Sequence, residues 1–366
     1  MKEATKSIEV WFGEDNFQET KTVERELPEL GDGQIRVAIE FFGLTSNNVG
    51  YALSGKGIGY NGYFPAESGW VKVPAWGCAK VIQSKSDGIA VGERLYGFLP
   101  MASHLDMEPK VISDTIMMDA IEHRQTLPAM YNAYQRMNFE SEALKPFDVE
   151  RSLLIPLFTT SFVLADYLEF HRFFGAQQIV IGSVSSKTGF GMAKMLRENP
   201  AVTQKIVGIT SAGNREFVEG LNACDQVVIY GNETEIDPDL ETAYVDMSGD
   251  VGLTERLHNH IGENVVESAM VGGTHWNAMG KRADLPGAKP TFFFAPGHIG
   301  MRDKEWGMGG TFERGTVAGL KIAAELSDEL TIDWTRDAEG LRQVWSNILA
   351  NKIPGKNGQM ISLLRE

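Results

Sequence analysis

From residue 177 onward the chain alternates short apolar segments with amphipathic ones, and this alternation limits the fold more than any other feature. "QQIVIGS" is followed by "GFGMAKMLREN" and "KIVGITS" by "NREFVEGLNA". "DQVVIY", "TAYVDMSGD", "GLTERLHNHIGE" and "VVESAMVGGTHW" come next. Strands that are apolar at every position are buried on both faces, and the helices between them supply the crossovers that parallel strands need. This half is therefore expected to be an α/β unit with a parallel sheet. A further strand is expected in "PTFFFAP" (290–296), then helical segments near 314–327 and 337–350, and a β-capable tail, "GKNGQMISLL".

The first third reads differently. "QIRVAIEFFGL" (34–44), "WVKVPAWGCAKVIQS" (70–84) and "GIAVGERLYGFLP" (88–100) are strand-like and punctuated by Gly and Pro, which suggests a compact β-rich unit. Residues 149–174 are apolar at helical spacing, with Gly175 placed to cap them. A length of 366 residues fits two domains. The expected boundaries are 1–150 for the β-rich domain and 151–314 for the parallel-sheet domain, with 315–366 returning to the first.

Composition removes several function classes. Against 34 Lys and Arg stand 49 Asp and Glu, a net charge of -15, which argues against nucleic acid or an anionic membrane as partner. The two cysteines, Cys78 and Cys224, form neither a disulfide framework nor a zinc cluster and fit a reducing cytoplasm. The start, "MKEATKSIEVWFG", has no apolar core of signal-peptide length. No run of about 18 apolar residues occurs, so no membrane span is expected.

The loop "IGSVSSKTGFGMAKML" (181–196) joins the first strand of the alternating run to its helix, where a dinucleotide's diphosphate is held in such folds. Binding there needs N–H groups directed into a concavity at a helix N-terminus. Gly182, Gly189 and Gly191 remain, but Ser and Thr stand where further glycines are usual. Ser185, Ser186 and Thr188 offer hydroxyls and Lys187 a cation. The Walker pattern G-x-x-x-x-G-K-[ST] fails twice: Ser186 replaces its second glycine, and Gly182 is one residue too close. A dinucleotide is the better reading; a nucleotide-shaped sheet without a ligand is the alternative.

In NAD sites an acidic residue ends the second strand. Here Thr210 and Ser211 stand there, followed by Asn214 and Arg215. Hydroxyls and a guanidinium in place of a carboxylate favour a 2′-phosphate, hence NADPH; Arg215 could equally be a solvated helix-start residue. Tyr230, ending the third strand, would flank the adenosine or sit half-buried in the sheet.

The order of elements resembles the medium-chain dehydrogenase/reductase superfamily, in its zinc-free, quinone-oxidoreductase-like branch. The resemblance is carried by "GDGQIRVAIEFFGLTSNNVGYALSG" (31–55) and by "WGCAKVIQSKSDGIAVGERLYGF" (76–98), with Glu93 where Asp is usual. It is also carried by "FTTSFVLADYL" (158–168) and "FVEGLNACDQVVIY" (217–230). The loop "SSKTGFG" departs from the family's A-x-x-G-G-V-G, and 101–150 match poorly. The resemblance implies a GroES-like β-rich catalytic domain beside a Rossmann-type parallel-sheet domain. It also implies hydride transfer from NADPH to a small quinone, enone or related carbonyl compound without zinc.

The resemblance places Tyr51 at the nicotinamide cleft, as a donor to a developing enolate. In the same loop Asn47 and Asn48 either orient the substrate oxygen or form the turn with satisfied amides. Thr160 would contact the carboxamide. Met247, Ser248 and Gly249 would lie along the cofactor ribose. Gly272 and Thr274, in "VGGTHW", would lie where the backbone approaches the nicotinamide, with His275 and Trp276 walling the pocket and His275 either a catalytic group or a structural histidine. His258 and His260, two apart on a helix, point to different faces and do not share a metal. His104 has no assigned role. In the family the strand equivalent to "FFF" (292–294) pairs between subunits, which makes a homodimer one reading of this run; buried core is the simpler one. A non-redox isomerase or lyase, or a catalytically degenerate binding protein, would fit the same scaffold.

Overall fold

The computed structural model describes residues 5–271, 284–293 and 295–365. The chain divides into two compact units: Met1–Leu153 with Ile332–Lys352 and Gly358–Glu366, and Leu154–Thr331 with Ile353–Asn357.

In the first unit the strand-like segments of the sequence pair antiparallel. Ile35–Leu44 lies between Pro74–Ser84 and Asn357–Ile361, and Arg94–Pro100 continues the sheet beyond Pro74–Ser84. A smaller sheet of Thr20–Glu26, Lys6–Gly13 and Trp70–Val71 stands beside it. Val37, Ile39, Phe42, Leu95 and Phe98 are fully buried and make the core. Residues 101–150, silent in the sequence, supply the short strands Ile116–Asp119 and Ala133–Arg136, which extend the same sheet. They are fixed by a buried ion pair between Arg124 and Asp119 at 2.7 Å.

Among the described residues the sheet of the second unit has six strands, all parallel. Across the sheet they run Gln226–Ile229, Lys205–Thr210, Gln178–Gly182, Thr242–Asp246, Val265–Met270 and Thr291–Phe292. By sequence that order is third, second, first, fourth, fifth, sixth, the doubly wound arrangement. Gln178–Gly182 and Thr242–Asp246 are buried at every position, as continuous apolar strands between helical layers must be.

Two sequence expectations change. The "PTFFFAP" strand shrinks to Thr291–Phe292, and a helix, Ala295–Trp306, begins at Ala295. Pro296 belongs in a first helical turn, where its missing N–H is no loss. The helix expected to run to 174 is Asp148–Phe170. Beyond it Arg172, Phe173 and Phe174 take left-handed backbone (φ 52°, 53° and 56°) before Gly175 at 79°. Burial of Phe173 and stacking of His171 on Phe174, with centroids 4.9 Å apart, accompany that turn. Leu144–Phe170 is long and apolar enough to cross a membrane by length and composition, although the residue count gave no span; more than half of its most apolar stretch is buried inside the structure.

Candidate functional site

The parallel sheet sets the site. Its order reverses between Gln178–Gly182 and Thr242–Asp246, where Gly182 and Asp246 are register partners at the carboxyl ends. Crossovers leave these two strands in opposite directions, so a crevice opens at that end of the sheet, and ligands of doubly wound folds bind there.

The loop leaving Gly182 is built without the usual glycines. Ser183 takes left-handed backbone (φ 56°), a conformation glycine would adopt without strain. Its side chain bonds Tyr230, whose phenol burial pushes up to about 12. Val184 N–H donates to the Ile209 carbonyl at 3.0 Å and Ser186 N–H to the Ser183 carbonyl at 2.9 Å. Ser186 then caps the helix Lys187–Glu198 by accepting from Gly189 N–H at 3.2 Å. A Cβ at Gly189 would meet the Ser183 carbonyl oxygen at 2.7 Å, so this glycine is required by close approach of helix and loop. In helix geometry the N–H groups of Lys187 and Thr188 have no intrahelical acceptor, which leaves a donor pair at a positive helix end.

At the end of the second strand Thr210 is fully buried, and its hydroxyl has no partner among the described residues. Asn214 is different. Its side-chain N–H donates to the Ser185 and Ser211 hydroxyls (3.3 and 3.1 Å), and its Oδ1 accepts from Gly355 N–H at 3.1 Å. With its amide so engaged, Asn214 is a strut of the site. Arg215 is exposed and pairs with Glu219 at 2.7 Å, one helical turn on. Exposed pairs of this kind contribute little, so the guanidinium is available to a stronger anion.

At the fourth strand's end Ser248 N–H and hydroxyl both bond Asp246 Oδ1, and Gly249 N–H bonds Oδ2. This places Met247 and Ser248 in a buried turn, with Met247 N–H on the Gly182 carbonyl at 3.1 Å. Gly272, Thr274, His275 and Trp276 lie outside the described residues.

The structure also brings in residues that sequence spacing could not reach. Ile353–Asn357 belongs to this unit. Lys187 Nζ donates to the Asn357 carbonyl at 2.8 Å and lies 3.5 Å from that of Gly355. Burial, opposed by no charged partner, lowers its pKa from 10.5 to about 8.

In the first unit Asn48 closes a capping box with Thr45. Its Oδ1 accepts from Thr45 N–H at 2.7 Å and its Nδ2 donates to the Pro74 carbonyl at 2.8 Å. These contacts are those of the turn-forming alternative, with one Nδ2 hydrogen beyond them. Tyr51 is buried against Tyr60 and Phe98 (centroids 4.8 and 5.3 Å). Its oxygen accepts from Trp76 Nε1 at 3.1 Å. Burial, and then Tyr60, hold its phenol well above the ordinary range, so it is a neutral acid at physiological pH. Thr160 bonds back to the Pro156 carbonyl within its helix at 3.5 Å. His258 bridges the Pro286 carbonyl and the Ser268 hydroxyl (both 2.9 Å), a structural arrangement, and His260 bonds the Ile236 carbonyl. His104 bonds Ser103 at 2.9 Å.

The model of the family described as Protein of unknown function (DUF2855) matches residues 42–354. The chain belongs to that family. No curated protein matches it. Among solved structures, CurA from Vibrio vulnificus in complex with NADPH is similar with a TM-score of 0.64 at 9% identity, over 98% of this chain and 100% of that one. The YhdH oxidoreductase from Salmonella enterica in complex with NADP gives 0.52 at 11% identity, over 98% and 99%. The quinone oxidoreductase from Coxiella burnetii gives 0.52 at 12%, over 98% and 100%. At these identities the likeness establishes the fold alone, a β-rich domain and a parallel-sheet domain as in those structures.

The lowered Lys187 pKa sets a pH dependence. Between about 8 and 10.5 the unfolded chain holds a proton that the folded chain has lost, so stability contributed by this group rises with pH across that window and is lost as pH falls to 8. The urea midpoint of the wild type is therefore expected to gain relative to that of Lys187→Met between pH 8 and 10. Parallel midpoints would show that Lys187 titrates as a free lysine.

Proposed function

We propose that the protein is an NADPH-dependent reductase of a small quinone, enone or related carbonyl compound. The observation that carries this reading is the switch-point loop: a capped helix N-terminus whose first two N–H groups have no intrahelical acceptor, beside a second strand that ends without a carboxylate. The orphan hydroxyl of Thr210 at that strand end supports the fit, because a buried polar atom without a partner is costly unless a ligand completes it. NADPH, when bound, supplies a hydride from its nicotinamide.

The chain's own groups would divide the work as follows. The N–H groups of Lys187 and Thr188 bind the diphosphate, with Ser185 and Ser186 shaping the loop and Gly189 allowing its close approach. Thr210, Ser211 and Arg215 receive the 2′-phosphate, and Tyr230 flanks the adenosine. Met247 and Ser248 lie along the ribose. Tyr51 donates its proton, or a hydrogen bond, to the substrate oxygen as negative charge develops there. The Trp76 N–H on its oxygen leaves the phenolic hydrogen to point elsewhere. A cytoplasmic location accords with the cysteine usage.

The resemblance also supports a homodimer joined at the outer strand Thr291–Phe292, where Phe292 is 64% exposed. Sedimentation should return twice the chain mass; a monomer at micromolar concentration would remove this part of the reading.

Fluorescence titration should show NADPH binding more tightly than NADH. Arg215→Ala should weaken NADPH by about tenfold, the loss of one charge-assisted contact, and leave NADH unchanged. Absence of binding by either nucleotide at millimolar concentration would overturn the assignment.

A further inference from the structure

Lys187 sits where the loop meets a piece of chain from 168 residues further on. That piece, Ile353–Asn357, makes a turn closed by Asn357 N–H on the Pro354 carbonyl at 3.0 Å. Two side chains of the nucleotide end hold it. Asn214 Oδ1 accepts from Gly355 N–H at 3.1 Å, and Lys187 Nζ donates to the Asn357 carbonyl at 2.8 Å, with the Gly355 carbonyl 3.5 Å away. The seat is tight: a Cβ on Gly355 would come 2.5 Å from the Ser185 carbonyl oxygen. Gly355 is not in left-handed backbone, so proximity to the loop is what demands glycine there.

The chemistry of the lysine argues that this contact has a purpose. Even a part-buried ammonium is costly to desolvate, and the partners here are neutral carbonyls. A shorter apolar side chain would pack at lower cost. What the lysine adds is reach: its four-carbon stem spans from the first helical position to the crossing segment and delivers donors to its backbone. An ammonium has three N–H donors. Two of them are directed at the Gly355 and Asn357 carbonyls.

We propose that Lys187 is a positioning residue that locks Ile353–Asn357 onto the loop Ser183–Ser186, so that this segment forms one wall of the nucleotide site. The wall is then built from sequence far from the loop, and nucleotide affinity depends on the lock as well as on the loop's own donors. The effect on nucleotide affinity rests on the reductase reading above; the lock itself does not.

The test has two arms on the full-length chain. In hydrogen–deuterium exchange without ligand, Lys187→Met should speed exchange of the Gly355 and Asn357 amides at least about tenfold, and Lys187→Arg should restore part of the protection. Unchanged protection in Lys187→Met would overturn the proposal whether or not the protein binds a nucleotide. In the second arm NADP+ affinity is measured for Lys187→Met, Gly355→Ala and the double variant. Each single change should weaken binding about tenfold and the pair by little more, because both undo one lock. Should Gly355→Ala fail to fold, Asn214→Ala removes the other holding group and takes its place. Loss confined to Lys187→Met, with Gly355→Ala or Asn214→Ala at full affinity, would make the lysine a phosphate ligand alone and overturn the proposal. If the wild type binds no dinucleotide while the exchange arm succeeds, the reductase reading fails and the lock stands.

Discussion

The parallel pairing of Gln178–Gly182 with Thr242–Asp246 is the constraint on which the second unit depends. Two strands that are first and fourth in the run can be neighbours only if the crossovers turn outward on either side. That reversal opens a crevice at the carboxyl ends. Everything assigned to the site follows from this placement. The loop after Gly182, the end of the second strand at Thr210 and the turn after Asp246 arrive at one end of one sheet because their strands are parallel and in register.

Within that frame the loop uses unusual parts. Dinucleotide loops ordinarily rely on glycines, which turn sharply and keep side chains away from the phosphates. Here a serine accepts the left-handed position, another serine caps the helix, and one glycine survives where helix and loop touch. The requirement for small size has moved in part to Gly355, on a different stretch of chain. Such a division shows why a fixed glycine spacing is a poor gauge of whether a loop of this kind holds a ligand: the clearance can be provided from the other side.

Much of the fold was legible because it rests on local patterning. Continuous apolar strands alternating with amphipathic helices gave the parallel sheet, and Gly- and Pro-bounded strands gave the β-rich unit. The failures have local causes too. "PTFFFAP" is strand-like in composition, yet Pro296 serves as well in a first helical turn. The helix through Phe170 is apolar at the right spacing up to 174, and only the tertiary burial of Phe173 tells where it stops. At the site, the roles of Asn48 and Asn214 were illegible because an amide's partners are set in space: Pro74 for one, Gly355 for the other. No spacing rule links Lys187 to Asn357. Conversely, the absent carboxylate after Thr210 and the hydroxyl-rich loop are statements about residue type at a strand end, and a sequence carries those directly.

The central claim is that a dinucleotide's diphosphate lies on the helix N-terminus at Lys187 and Thr188, at the switch point of the parallel sheet. A crystal structure of the protein with NADP+ tests it most directly. The account predicts diphosphate density within hydrogen-bonding distance of those two N–H groups, with the 2′-phosphate beside Ser211 and Arg215. A well-ordered nucleotide anywhere else, or a switch-point crevice filled by the protein's own side chains at saturating NADP+, would contradict it.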